Sequence, residues 1–448
     1  MDSPRPIRIG EGAGFAAAWV EPAVDLAARG DLDYLTFECL GERTVALAQL
    51  ARLRDPAAGY DPLLVRRMRG VLQPCFSRGT RIVTNAGAAN PLAAGERVVE
   101  IARTLGLRGL RVAVVTGDDV LDRLDRDALT LEETGQPLRL VGDRLVSANA
   151  YLGAAPLLDA LHQGAHVVVA GRVSDPALVL AALRHAFEWP ADAWDLVGAG
   201  VAVGHLLECG PQVTGGYFAD PPFKTVPDIA AIGYPIAECH PDGTATITKL
   251  PGTGGVVTVA TCTEQILYEV HDPSRYLQPD VTADFSAVEF LPEGPDRVRV
   301  RGARGRPAPS TLKVSVGYRD GFVGEGQISY GGAGCVTRAR LAAEAVTARL
   351  ASQGVRWREL RADLIGWDSL AVPPAARIPE PPEVRLRIVA RVDTREEAEA
   401  VGIEVEGLYV AGPAGGGGVT RSVREALSLG SVLVPREIVR PEVVVLEV

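Results

Sequence analysis

The densest set of chemically competent residues lies in GHLLECGPQVTGGYF at 204–218, where His205, Glu208, Cys209, Gln212 and Thr214 fall within ten residues. If 201–208 is helical, His205 and Glu208 lie three apart on one face, and Cys209 lies four from His205. That spacing lets His205 and Glu208 share proton-transfer work, or lets His205 and Cys209 form a thiolate–imidazole pair. The same pattern fits a helix end packed inside the protein, with Cys209 as a small buried apolar residue. Cys335 has a different rationale. SYGGAGCVTRA at 329–339 puts it at the start of a predicted helix, where the dipole and Arg338 one turn on favour thiolate. An inert buried thiol is the competing reading there.

Glycine-rich turns form a second group. IGEGAGF at 9–15 lacks the GxGxxG spacing of a dinucleotide site, and Glu11 would repel a phosphate. TKLPGTGGVVT at 248–258 sets Lys249 beside Gly252, Gly254 and Gly255 just before a predicted helix. Free backbone N–H groups next to a cation make an anion cradle, although the GK[ST] ending of a P-loop is missing. AGPAGGGGVTRSVREAL at 411–427 places Gly415, Gly416, Gly417 and Gly418 before another predicted helix, with Arg421 and Arg424 in its first turns. Glycine mainly permits tight turning, but four in a row suit close backbone approach to a ligand. Several such loops fit a ligand with several anionic groups, such as a nucleotide or coenzyme A.

The elements that must position these groups follow from periodicity. From residue 5 to about 270, short β-branched runs alternate with Ala/Leu/Arg helical patterns, the mark of βα units. Residues 1–275 are therefore predicted to form an α/β domain, a mainly parallel sheet flanked by helices. In such sheets ligands gather beyond the carboxyl ends of the strands. That rule collects Asn85 and Asn90, Asp118 and Asp119, and Arg172 with Asp175 around one crevice. Asn90 before Pro91 and Asp175 before Pro176 also read as helix caps. Asp118 and Asp119 lack a matched third ligand, so a capped turn is preferred and no metal site is predicted. Beyond residue 275 short strands take over, then a helix at 336–352, a proline-rich surface crossing at 372–382 and further α and β segments. Residues 276–448 are predicted to be an α+β domain with its glycine-rich loop at 412–418.

Composition narrows the class. The chain has 448 residues, 47% hydrophobic and 23% charged, with a formal charge of −10. That balance describes a globular protein and argues against a nucleic-acid partner. Only Lys224, Lys249 and Lys313 are lysines among the 46 basic residues. Six cysteines without a CxxC pair read as reduced thiols. With neither a signal-peptide pattern nor an 18-residue apolar run, the expectation is a cytoplasmic protein without a membrane partner.

The segments IGEGAGF, DYLTFECLGERTVALAQ, RIVTNAGAANP, VVVAGRVSDPALVLA, HLLECGPQVTGGYFADP, TKLPGTGGVVTVATCTEQILYEVHDPSRYLQPDV, SYGGAGC and GPAGGGG closely resemble the acyclic terpene utilisation AtuA family, over essentially the whole chain. Some relatives carry an added small ferredoxin-like domain, so the resemblance implies that a separate polypeptide of that kind supplies any role needing it here. It also implies metabolism of branched acyl-CoA thioesters, or a place in secondary metabolism. The expectation is an enzyme, a homo-oligomer, acting on a branched or unsaturated acyl-CoA or related carboxylic acid by proton abstraction. CoA is then a substrate carrier, with no tightly bound cofactor. Two alternatives are a thioester hydrolase or acyltransferase using Cys209 or Cys335, and a non-catalytic binding or assembly subunit of an acyl-CoA enzyme.

Overall fold

The computed structural model describes residues 5–370 and 379–448. The chain divides into two compact units, Met1–Gly317 with Leu429–Val448, and Tyr318–Ser428. Residue 275, where the sequence texture changes, lies within the first. Most of the proline-rich crossing at 372–382 lies outside the described residues.

Eight strands open the first unit: β1 (Ile7–Gly14), β2 (Tyr34–Glu38), β3 (Arg81–Thr84), β4 (Arg111–Thr116), β5 (Leu145–Ala150), β6 (Val167–Ala170), β7 (Pro235–Cys239) and β8 (Ala245–Lys249). A ten-stranded sheet runs in the order Glu289–Gly294, Arg297–Arg301, β8, β7, β1, β2, β3, β6, β4, Glu442–Glu447. Its centre, β1-β2-β3-β6-β4, is parallel. Every residue of β2 and β6 is buried, as expected of strands covered by helices on both faces. Leu35, Phe37, Met68, Leu72, Val98 and Val169 belong to one apolar cluster that ties this centre to its helices.

The fold class is α/β, but the sheet is mixed rather than mainly parallel. β7, β8 and the two strands after them are added antiparallel on one side, and Glu442–Glu447 on the other. The reason is loop length: β7 and β8 are joined by a five-residue turn, too short for the crossover that parallel pairing requires.

In the second unit a sheet ordered Trp357–Ile365, Glu383–Val392, Thr311–Gly331, Gly416–Pro435 is covered by the helices Cys335–Ser352 and Arg395–Ala411. The last two of those strands also carry the chain into and out of the unit. Ile328, Tyr330, Val346, Ile388 and Val405 share its core. The predicted helix after Gly415–Gly418 is instead the strand Gly416–Pro435. Val419, Val423 and Leu427 recur every four residues as a helix would have them, yet pairing with the neighbouring strand overrides that local pattern. Arg421 and Arg424 therefore lie on a strand. Among the described residues no helix is long and apolar enough to cross a membrane.

Candidate functional site

The helix Trp194–Glu208 is built on small residues, with Gly198, Gly200 and Gly204 facing neighbouring segments so closely that a Cβ on Gly204 would lie 2.7 Å from Pro176 O. This seats its last turn deep in the first unit. His205 Nδ1 lies 2.6 Å from Glu208 Oε1, with both side chains buried. The His205 ring packs 5.2 Å from Tyr276 and 6.0 Å from Phe285, and its carbonyl accepts from Gln265. Burial pushes the imidazole down to about 4 and the Glu208 carboxyl well above its usual range, the latter also through Asp175 and Glu269. Both shifts disfavour the charged forms of the two groups, which are joined by one short hydrogen bond.

Around this pair converge the carboxyl ends of the parallel strands. At the end of β2, Glu38 Oε1 accepts from Leu40 N and from Asn85 Nδ2, each at 2.8 Å. Asn85 Oδ1 in turn accepts from Cys39 N at 2.7 Å. Glu11 lies beneath, its carboxyl taking the Glu38 N–H and the Thr36 hydroxyl. Burial raises both acids, Glu38 to about 8 with Asp175 adding to the rise. Past β6, the fully buried guanidinium of Arg172 donates to Leu40 O and to Asp175, both at 2.5 Å, and lies 4.0 Å over the Tyr151 ring. Asp175 does not cap its helix, which has no side-chain cap. Its carboxyl is raised by burial against the pull of Arg172. Tyr151 donates to Glu42, which also takes Lys313 at 3.1 Å. Burial opposes ionisation of Glu42, but Tyr151, Arg172 and Lys313 outweigh it and hold the acid at about 2.

Glu42, Tyr151, Asp175, Glu269, Tyr276 and Lys313 line one cavity of about 340 Å³. Gln278 also faces it, and its buried Oε1 finds no partner among the described residues; nor do Arg172 Nε and Glu208 Oε2. An unsatisfied buried polar atom on a cavity wall, as at Gln278, marks a place where a bound molecule completes the hydrogen bonding. The arrangement sets a carboxyl raised by burial, that of Asp175, beside a fixed cation and a tyrosine that burial keeps protonated, which is the equipment of acid–base chemistry.

The structure thus brings together His205, Glu208, Arg172 and Asn85, and separates the rest. Asn90 is used as a cap, accepting from Ala93 N while its amide donates to Pro56 O and Ala58 O. Asp118 receives Arg172 N and Asn149, away from any metal-like group; among the described residues no three His, Cys, Asp or Glu side chains are set to hold an ion. Lys249 turns inward to Thr253 O at 2.8 Å and Asp296 at 3.1 Å, so its charge is spent inside the loop. A Cβ on Gly254 would lie 1.9 Å from Asp228 O, and one on Gly255 2.6 Å from Thr214 O. These glycines admit the protein's own backbone, and Gly252 supplies a φ of +78°. Gly415 and Gly418 likewise have positive φ, Gly416 fits against Tyr330, and Gly417 has open space around it.

Cys209 lies at a helix C-terminus and Cys335 at a helix N-terminus. Cys209 ends the helix without bonding His205, and burial beside Glu208 pushes its thiol up. Cys335 does begin a helix, but the Glu380 carboxylate already accepts the Gly334 and Val336 N–H groups there, and the Cys335 thiol donates to Pro381 O. Glu38, Glu42, Tyr151, Glu269, Tyr276 and Lys313 were not singled out as site residues by their types and spacing. For Glu38 a signal was present: a lone carboxylate inside the apolar run YLTFECL.

Neither curated proteins nor solved structures gave a match to this chain. A family model does, across residues 7–445, and its description is acyclic terpene utilisation family protein AtuA. With nearly the whole chain matched, the protein belongs to the acyclic terpene utilisation AtuA family.

Proposed function

We propose that the chain is an enzyme that moves a proton next to the carbonyl of a branched or unsaturated acyl compound, in the manner of a lyase, hydratase or isomerase. The observation that carries this reading is Asp175, one third exposed on the cavity wall, gripped by buried Arg172 and held above the ordinary carboxylate range. A carboxyl whose proton affinity is raised by burial and that reaches the cavity can take a proton from a bound molecule and return it. Tyr276, whose hydroxyl burial keeps protonated, donates to the carbonyl oxygen as negative charge develops there. The His205–Glu208 pair behind it stores a second proton. Lys313 at the wall meets a carboxylate or the phosphates of a CoA carrier, and family membership favours a branched carbon chain.

The test is deuterium uptake. The protein is incubated in D₂O with a branched 2-enoyl-CoA and with the free acid, and the substrate is followed by proton NMR. Deuterium is expected at a carbon conjugated with the carbonyl, with a loss of about 100-fold or more in Asp175→Asn. Asn still accepts from Arg172, and the melting temperature measured alongside separates lost chemistry from lost fold. No uptake by wild type with either form removes the reading, and an undiminished Asp175→Asn removes Asp175 as the proton carrier.

A further inference from the structure

On the far side of the His205–Cys209 turn lies a second cavity of about 350 Å³, which includes Phe15, Trp19, Cys209, Tyr217, Ile229 and Ile232 in its lining. None of its lining residues is charged, unlike the acid cavity. Phe15 is 60% exposed, Trp19 55%, Tyr217 87% and Ile229 48%. Apolar groups gathered in the open around a concavity mark a binding place, since single scattered ones would need no explanation.

These side chains are held there by buried structure. Arg67, fully buried and paired with Asp61, donates to the carbonyl oxygens of Phe15, Ala16 and Ala18, the last at 3.4 Å. One guanidinium therefore pins the backbone that presents Phe15 and Trp19. Gly14 packs so tightly on the end of the helix that a Cβ there would lie 2.1 Å from Cys209 C. The facing loop holds Tyr217 at φ +61°, a conformation that costs a non-glycine residue energy and that folding alone does not require of an exposed tyrosine.

We infer that this cavity is a binding site for the hydrocarbon chain of a small ligand, with the ligand's polar end at Cys209 and Gln212. Its size decides against a macromolecule: it falls at the low end of the roughly 300–1,000 Å³ of small-molecule sites. Its uncharged wall decides against an anionic or cationic body, and Cys209 and Gln212 give the polar end its only non-aromatic polar side chains. The inference stands without the proton-transfer reading, although one helical turn alone separates Cys209 from the His205–Tyr276 contact of the acid cavity.

Isothermal titration with the uncharged alcohols hexanol, octanol and decanol tests it. Each buried methylene is worth about fourfold in affinity, so decanol should bind on the order of a hundredfold more tightly than hexanol. The Phe15→Ala, Tyr217→Ala double variant should lose about tenfold with an unchanged melting temperature, since both side chains are exposed. Absence of saturable binding, affinity independent of chain length, or equal binding by the double variant overturns the inference. Asp175→Asn should leave decanol affinity unchanged, so a failure of the proton-transfer reading and a failure of this one are told apart.

Discussion

In the first unit Arg172 is fully buried, donates to a backbone carbonyl and one carboxyl, and stands within electrostatic reach of Glu38 and Glu42. In the second unit Arg387 sits on an open sheet face between Glu325 and Asp363, with 30% of its side chain exposed. Both arginines hold two partners across neighbouring segments, and the surroundings make them different devices. Around Arg172 the acids are raised by burial, Glu38 to about 8. Around Arg387 the Glu325 carboxyl goes the other way: burial opposes ionisation but is outweighed by the hydrogen bonds from Arg387 and Gln327 and by the nearby positive charge. The ladder in the second unit ties strands together, whereas the network in the first keeps protons available.

The sharpest way to break this contrast is to remove each arginine. Arg172→Met should cost about 3–5 kcal/mol in chemical denaturation, because it leaves Leu40 O without its donor and takes a fully buried cation away from Asp175, Glu38 and Glu42. Arg172→Lys should recover only part, as one ammonium cannot reproduce the fork that reaches both Leu40 O and Asp175. A loss below about 1 kcal/mol would mean that the network is wetter than its burial indicates.

The next effect is on pH dependence. Glu38 is neutral in the folded protein up to about 8 and ionised above about 4.3 when unfolded. Between those values the folded state holds a proton that the unfolded state has released, so stability falls as pH rises. His205, lowered to about 4, acts oppositely below about 6.5, where the unfolded imidazole takes up a proton that the folded one refuses. The clean window is therefore about 6.5 to 8. Glu11 and Glu208 act in the same direction as Glu38. Glu38→Gln, neutral at every pH and able to keep the acceptor for Asn85, should flatten the slope there and raise stability at pH 8 relative to wild type. An unchanged slope would show that Glu38 is ionised in the fold.

How legible this site was in the sequence depended on distance along the chain. His205 and Glu208 were readable because a helix brings positions three apart together without help from the rest of the fold. Arg172 and Asp175 are equally local and the strand-end rule places them together at one crevice, yet Asp175 also looks like a cap because it precedes a proline, and no local pattern states that the cation is buried. Tyr151, Glu269 and Tyr276 reach the cavity only through the path of the chain over the sheet, which periodicity cannot supply. The glycine runs misled for a physical reason: a close backbone approach looks the same in sequence whether the approaching atom belongs to a ligand or, as at Gly254, to Asp228. The parallel centre of the sheet was visible in its βα alternation. The antiparallel flanks were not, since their short alternating strands state no partner.

The smallest expected effect belongs to the second unit. Arg387→Ala removes contacts to Glu325 at 2.8 Å and Asp363 at 3.4 Å, on strands whose backbone pairing is untouched. Solvent already screens these groups, and the released carboxylates can rehydrate without moving. Cross-strand ion pairs of this kind are worth about 0.2–1 kcal/mol. A double-mutant cycle with Glu325→Gln should give a coupling energy in that range, shrinking further in about 1 M salt, where the screening length falls to about 3 Å. The Arg172 network should hardly respond to the same salt. A coupling above about 2 kcal/mol, insensitive to salt, would place Arg387 in the same class as Arg172 and erase the difference between the two units.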